Sequence, residues 1–519
     1  MRWSSPRSQR KSVRVAVIGA GFSGIAAGVA LLRQGITDFT IFDGAAGVGG
    51  TWWHNRYPGA EVDLESHIYS FSYAPADWSR NYARRRELQR YLESVVDGFG
   101  LRRHLALGEN VESVTWADDR GEYEITTSSG AAYAPFHAVI SAVGFLSVPR
   151  IPSLTREEKA FAGVICHTAR WPGGLDLAGK RVGVLGTGSS AVQVVAEAAA
   201  CAAEVKVFQR EPNWLLPKGS RDFSPAERRM NRHALVRRWR RLSLYLRYDV
   251  RQMRMSHARA DGWVNRRRRH AAERFLAESL AGRPELRQLL TPAFPFEGKR
   301  TVLSDEYYQA LLKPHVTLVP HGVKGLSATG VVDENGDRHG LDVVVLATGF
   351  DAANYLASLK VTGAGGRVLH QVWAHEPRAF LGMMVPGFPN FFMMYGPNTN
   401  SVPLVSFYEA QARFAARAIG RLATRGSREV QVSRAAADRY DHWLQSALQR
   451  TVWAQADSYF RASTGRVVSQ WPFNASLYLI ATRVGRLALR YSRAVSEPKG
   501  AGAAWTEERG TSDEGTRCQ

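Results

Sequence analysis

The stretch VRVAVIGAGFSG, Val13 to Gly24, decides the fold. A β-branched run ends at Ile18 and turns directly into Gly19-Ala20-Gly21-Phe22-Ser23-Gly24. Small and apolar residues continue with helical spacing through Leu32, and Phe39 to Phe42 gives a second strand that ends on Asp43. Strand, tight glycine turn, helix, strand and acid form the order of a dinucleotide-binding βαβ unit. Gly19 makes the turn, Gly21 lets the backbone approach a pyrophosphate, and Gly24 lets the helix pack closely on the sheet. The helix amino terminus, with Phe22 and Ser23, supplies N–H groups to phosphate, and Asp43 is placed to accept ribose hydroxyls.

A second signature lies downstream. Lys180 to Leu185 (KRVGVL) runs into Gly186-Thr187-Gly188-Ser189-Ser190-Ala191, with Ala191 in the place of the third glycine. The next strand, Val205 to Gln209, ends on Arg210 and not on an acid. A carboxylate there would repel a 2′-phosphate, whereas a guanidinium pairs with it bidentately, so this unit is expected to take NADPH. Glu211 adjoins Arg210 and leaves the strictness of that selectivity open. The fold class is therefore α/β, with two Rossmann-like dinucleotide-binding domains.

Between the two turns stands FAGVICHTARWP, with Phe161, Gly163, His167, Trp171 and Pro172 as its marked positions. A segment there must hinge and align the two domains, and His167 reads as its organiser, not as a proton-transfer group. The spacing F-x-G-x-x-x-H-x-x-x-W-P resembles the fingerprint of the Baeyer–Villiger monooxygenases, flavoenzymes that insert oxygen next to a ketone. The long loop GGTWWHNRYPGAEVDLES, Gly49 to Ser66, is too rich in Gly, Pro and aromatics for a regular element and is read as a functional loop. Its Gly50, Trp52, Tyr57, Pro58, Gly59 and Asp63 match a second stretch typical of that family.

The resemblance implies FAD in the first domain and NADPH in the second. By it, Thr51, Trp52, Asp63 and Tyr69 touch the flavin or its cofactor partner, Val111 contributes to the FAD site, and Pro397 and Asn398 lie near the ring. Gly186, Thr187, Gly188, Ser189, Ser190, Gln193 and Arg210 bind NADP, with Lys299 on its phosphate. Arg300, from the segment Glu297-Gly298-Lys299-Arg300, is the active-site cation, and Asp63 orients it. The implied reaction uses O2 and a small-molecule ketone to give an ester or lactone through a C4a-peroxyflavin. Three departures stand out: relatives often carry a small hydroxyl residue where Glu211 stands and cysteine before the lysine, and many place tryptophan where Tyr459 stands.

The buried strands HAVISAVGF (His137 to Phe145) and DVVVLATGFD (Asp342 to Asp351) are both expected to close the flavin domain. The expected plan opens with an amino-terminal arm (1–12) and a first FAD-domain segment (13–150). The NADP domain (151–330) is inserted next, followed by a second FAD-domain segment (331–495) and a disordered tail (496–519). A helical insertion, 222–290, is expected within the NADP domain. Sixteen arginines between Arg228 and Arg274 face only Asp249, Asp261 and Glu273, while Trp239, Leu242, Leu246 and Trp263 recur among them. That pattern suggests amphipathic helices with arginines on a solvated outer face; the functional readings are an acidic partner, a membrane surface or steering of NADPH.

The chain has 519 residues and a formal net charge of +21. Its three cysteines, Cys166, Cys201 and Cys518, form no C-x-x-C, which argues against a dithiol redox centre. The run Arg266 to Arg269 is too short and too poor in aromatic neighbours to argue nucleic-acid binding, and no metal site is expected. No apolar run approaches the ~20 residues that span a bilayer, and the basic start lacks the apolar stretch of a secretory signal. A cytoplasmic enzyme is expected. The rival readings are a flavin-dependent heteroatom (N- or S-) oxygenase and a non-catalytic flavoprotein docking through 228–274.

Overall fold

In a computed structural model of the chain, residues 12–156, 161–255 and 262–492 are described, with side chains taken to 155 in the first segment and to 252 in the second. Residues 1–11, most of the expected arm, lie outside them, as do Asp261, Cys518 and the expected tail.

Two parallel five-stranded sheets carry the molecule. The first is ordered Phe391–Met393, Ala138–Ser141, Val15–Ile18, Phe39–Asp43, Leu105–Leu107. Its central strand Val15–Ile18 is buried at every position, so it needs cover on both faces. One face is closed by the helix Phe22–Arg33, which packs along the 22-residue helix Leu404–Arg425. The other is closed by the antiparallel pair Val111–Ala117 and Glu122–Thr127 through Phe42, Val114 and Tyr123.

The second sheet is ordered Val316–Val319, Glu204–Phe208, Arg181–Leu185, Val343–Leu346, Val164–His167. Here one expectation fails. The strand within DVVVLATGFD does not close the first sheet; Val343–Leu346 pairs with Arg181–Leu185 on one side and Val164–His167 on the other. All four of its residues are buried, which suits a central position, but an all-apolar strand reads the same in either sheet. Val343–Leu346 therefore belongs to the second sheet, and the late strand that joins the first sheet is Phe391–Met393.

The chain crosses between the sheets twice, and the crossings are zipped together. Arg150 N–H donates to Gly349 O (2.9 Å), Asp351 N–H to Val148 O (3.0 Å), and Thr348 Oγ1 to Arg150 O (2.5 Å).

The 222–290 stretch forms the helices Pro225–Asn231, Ala234–Met255, Trp263–Ser279 and Pro284–Leu289. The first is opened by a capping box between Ser224 and Glu227. Its arginines do not only decorate an outer face. Arg241 is turned inward, donating to the carbonyls of His67 (3.1 Å), Ile68 (3.2 Å) and Ser70 (2.5 Å), and Arg268 pairs with Glu297.

Candidate functional site: two glycine turns facing one arginine

The two glycine turns are built alike. Gly19 has φ +110°, and a Cβ there would lie 2.4 Å from Ala142 O; Gly186 has φ +120°, and a Cβ would lie 2.5 Å from Ala347 O. Each first glycine is thus forced by the next parallel strand. The second glycines differ from them. At Gly188 a Cβ would meet no protein atom within 4 Å, and at Gly21 only the ordinary contact of Gly50 at 3.5 Å. Their lack of a side chain serves no packing need and leaves the helix N-termini bare. Neither helix has a side-chain cap, so N–H groups there are free for an anion. The residues fit two dinucleotide phosphates.

Asp43 stands at the end of its strand, its Oδ2 accepting Ala20 N–H (2.7 Å) and its Oδ1 accepting Ala45 N–H (2.8 Å). The carboxylate is held rigidly, and each oxygen keeps a second lone pair. Val111 lies near the same end of the sheet, since the preceding Glu109 N–H donates to Asp43 O (3.0 Å). Its side chain is in the core, so only its backbone could meet a ligand.

The loop after Asp43 contains a short helix that its composition did not suggest, Thr51–His54. It docks on the first turn: Gly49 N–H donates to Ala20 O (3.0 Å), and a Cβ on Gly50 would touch Gly21 Cα at 3.0 Å. Trp52 Nε1 donates to Tyr69 Oη (3.2 Å), and Phe22 packs edge-on against Tyr69 with centroids 5.0 Å apart. Thr51, exposed, opens the helix beside them.

The same loop reaches the second turn. Tyr57 Oη lies 3.1 Å from Ser190 Oγ and donates to Gln193 Oε1 (3.0 Å), while Gln193 Nε2 donates to Glu61 O (2.9 Å). Ser190 and Gln193, expected on NADP, spend their side chains on this clamp between the sheets. Burial pushes the Tyr57 phenol up to about 12, so it stays a neutral donor. Glu61 anchors further, accepting from Lys218 Nζ (2.5 Å) and pairing with Arg80 Nε (3.1 Å).

Arg300 and Asp63, 237 residues apart in sequence, form an ion pair. The Asp63 carboxylate, more than any other group, holds the Arg300 pKa above its ordinary value despite burial of the guanidinium's surroundings. Tyr459 lies against Arg300, close enough to accept a hydrogen bond from it, and Tyr395 and Tyr69 also face the cation. Burial raises all three phenols, so they remain protonated around a permanent positive charge. The Tyr459 segment is seated on the arginine's own turn: a Cβ on Gly298 would lie 2.5 Å from Ala456 Cβ. Tyr395, Gln193 as a member of the clamp, and the need for Gly298 escaped sequence reading, because each depends on contacts distant in the chain.

Lys299 points away from Arg300, pairing with Glu211 and lying over the Phe294 ring at 4.8 Å. Thr187 Oγ1 donates to Glu211 O (2.9 Å), which holds the Arg210–Glu211 corner over the second turn; Ser189 opens the helix below it. Asn398 is inward-facing, its Nδ2 donating to Val467 O (2.9 Å) and its N–H to Val468 O (2.8 Å). It braces a loop, with Pro397 buried beside it.

In the linker, His167 Nδ1 accepts Ala169 N–H (3.1 Å), which leaves the proton on Nε2 to be donated to Gly349 O (3.1 Å). Burial lowers its pKa, and the neutral ring ties the linker to the crossing at Gly349. Gly163 has no room for a side chain, with Asp342 O at 2.3 Å from a Cβ. Phe161 and Trp171 pack on the second sheet's cores, and Pro172 is exposed.

Comparison with known proteins bears on this arrangement. A family model described as pyridine nucleotide-disulphide oxidoreductase matches residues 16–274. A Baeyer–Villiger monooxygenase of Streptomyces coelicolor is 36% identical over 91% of this chain and 91% of its own length. The chain belongs to the Baeyer–Villiger monooxygenase family. A second such monooxygenase, from Pseudomonas aeruginosa, is 34% identical over 90% of this chain and 92% of its own. Among solved structures, an oxidised steroid monooxygenase bound to NADP superposes with a TM-score of 0.83 at 30% identity, covering 93% of this chain and 99% of that one. In this Baeyer–Villiger monooxygenase, Glu211, Glu297-Gly298 and Tyr459 all lie on the Lys299–Arg300 turn or touch it.

Proposed function

We propose that this chain uses NADPH and O2 to insert one oxygen atom next to a ketone carbonyl, giving an ester or lactone. The observation that carries the reading is Arg300, a permanent cation held by Asp63 and Tyr459 within reach of the loop that docks on the first glycine turn. The FAD unit comprises 13–150 and the chain after about Gly349, with the NADP unit inserted between them. The first turn, Asp43 and the Thr51–Tyr69 loop hold FAD; the second turn, Arg210 and Lys299 hold NADPH.

Held by the first turn, Asp43 and the Thr51–Tyr69 loop, FAD would supply the redox chemistry, hydride acceptance from NADPH and activation of oxygen. The protein contributes charge. Arg300 stabilises the negative charge that develops on the ketone oxygen during nucleophilic addition, as an oxyanion site does. Asp63 fixes its direction, and the neutral phenols of Tyr69 and Tyr459 add donors without cancelling the charge, while Tyr395 spends its O–H on Asn400 Oδ1. The segment bearing Tyr459 packs on the Arg300 turn, while the arginine side chain itself stays 43% exposed and open to a ligand. NADPH supply places the reaction in the cytoplasm.

Arg300→Ala tests the assignment. Reduction of the flavin by NADPH should persist, while ester formation should fall roughly 10²- to 10³-fold, the loss typical of an oxyanion donor. Ester made at the full rate would show that Arg300 is not the oxygenation cation. Offering a thioether beside a cyclic ketone separates this reading from heteroatom oxygenation.

A further inference from the structure

The helix Ala234–Met255 is amphipathic in the wrong sense for a helix lying on a protein. Its polar side faces inward. Arg241 donates to three backbone carbonyls and lies 3.8 Å from Glu409; Tyr245 Oη is 3.1 Å from Ser476 Oγ; Tyr248 bonds Glu65. Asp249 accepts from Asn474 Nδ2 (3.1 Å) and Ser476 N–H (3.0 Å), and Gln252 Nε2 donates to Ser401 Oγ (2.6 Å). These bonds fix the helix's rotation about its own axis.

The opposite side carries Leu235, Trp239, Leu242, Leu246 and Val250, spaced four, three, four and four residues apart, which is one stripe of an α-helix. Each is 46% to 77% exposed, and Trp239 is 68% exposed. Exposed arginines Arg238 and Arg247 lie one on each side of the stripe, Arg247 also standing 3.8 Å from Glu65. A contiguous apolar stripe presented by a polar-anchored helix marks an interaction surface, not a folding leftover.

We propose that this stripe docks on an anionic phospholipid surface, independently of the oxygenation reading. The apolar side chains enter the acyl boundary, the Trp239 indole sits at headgroup level, and the flanking arginines extend along the surface to lipid phosphates. Charge decides against a second copy of the chain as occupant. A symmetric contact would set each arginine flank against its own copy in a molecule of net charge +21. No helix among the described residues is long and apolar enough to cross a membrane, so the attachment is peripheral.

The flavin-loaded, full-length protein should sediment with phosphatidylcholine vesicles that contain phosphatidylglycerol, and moderate salt should weaken this. Trp239→Gln/Leu246→Gln, which removes only exposed apolar groups, should lower the partition coefficient about tenfold or more. Arg238→Gln/Arg247→Gln should abolish the preference for phosphatidylglycerol over phosphatidylcholine alone. In the unmodified protein, hydrogen exchange over 234–252 should slow when these vesicles are added. Absence of vesicle binding overturns the proposal, as does equal binding by the Trp239/Leu246 variant. A concentration-dependent dimer lost in that variant, or binding to polyglutamate without vesicle binding, would reassign the surface to a protein partner and overturn it equally.

Discussion

Replacing Glu211 with serine should tighten NADP⁺ binding and leave NAD⁺ binding unchanged. In the structure Glu211 holds the Lys299 ammonium, the cation assigned to the 2′-phosphate, and both groups are partly exposed. An exposed pair of this kind is worth about 0.2–1 kcal/mol, which NADP⁺ must overcome to engage Lys299. The carboxylate also repels the phosphate. Taking about 7 Å, an effective dielectric of about 40–80 and a phosphate charge near −1.5 to −2, the bare repulsion is about 1–2 kcal/mol, and physiological salt leaves roughly half of it. The two effects sum to about 0.7–2 kcal/mol, a roughly 3- to 30-fold lower Kd. Titration calorimetry of the FAD-loaded protein with NADP⁺ and NAD⁺ measures this directly. An unchanged or higher Kd for NADP⁺, or an equal gain for NAD⁺, would refute the reasoning, because it would mean that Glu211 positions Lys299 instead of competing for it.

Other outcomes follow from the clamp and from buried histidine. Tyr57→Phe removes the hydrogen bonds to Ser190 and Gln193 and should cost about 1–3 kcal/mol in denaturant unfolding, with loosened coupling between NADPH binding and flavin reduction in stopped flow. An unchanged unfolding midpoint would remove the clamp from the account. His67, buried near Arg237, Arg240 and Arg241, has its pKa pushed down to about 4, mainly by burial. The folded pKa lies below the unfolded one, so the unfolded chain binds the proton first. The resulting stability is fully present above about pH 6.5 and is lost as pH falls toward about 4, up to ~3 kcal/mol. The difference in unfolding free energy between the natural protein and His67→Phe should carry that slope; a difference flat from pH 7 to 4 would contradict it.

How much of this was legible depends on how local the signal is. The two turns were readable because Gly19 and Gly186 meet a constraint set by their own βαβ units, and the strand ends Asp43 and Arg210 follow at a fixed spacing. The strand Val343–Leu346 was misplaced because burial on both faces erases the alternation that would distinguish one sheet from another. The Arg300–Asp63 pair came from family resemblance alone; nothing in local pattern joins residues so distant. Periodicity showed that the arginine-rich helix was amphipathic. Which side faced inward could not be read, because the inward side is held by polar bonds to partners such as Glu65, Glu409 and Ser476, all remote in sequence.

The central claim is that Arg300 and the two nucleotide sites together make an oxygenase of ketones. The most direct test is turnover of the purified, FAD-loaded protein with NADPH, a panel of cyclic ketones and ¹⁸O₂, with the product analysed by mass spectrometry. The account predicts a lactone bearing a single labelled oxygen, in the ring position, formed in step with NADPH consumed. Consumption of NADPH with release of hydrogen peroxide and no lactone from any ketone, or oxidation only of thioethers and amines, would contradict it.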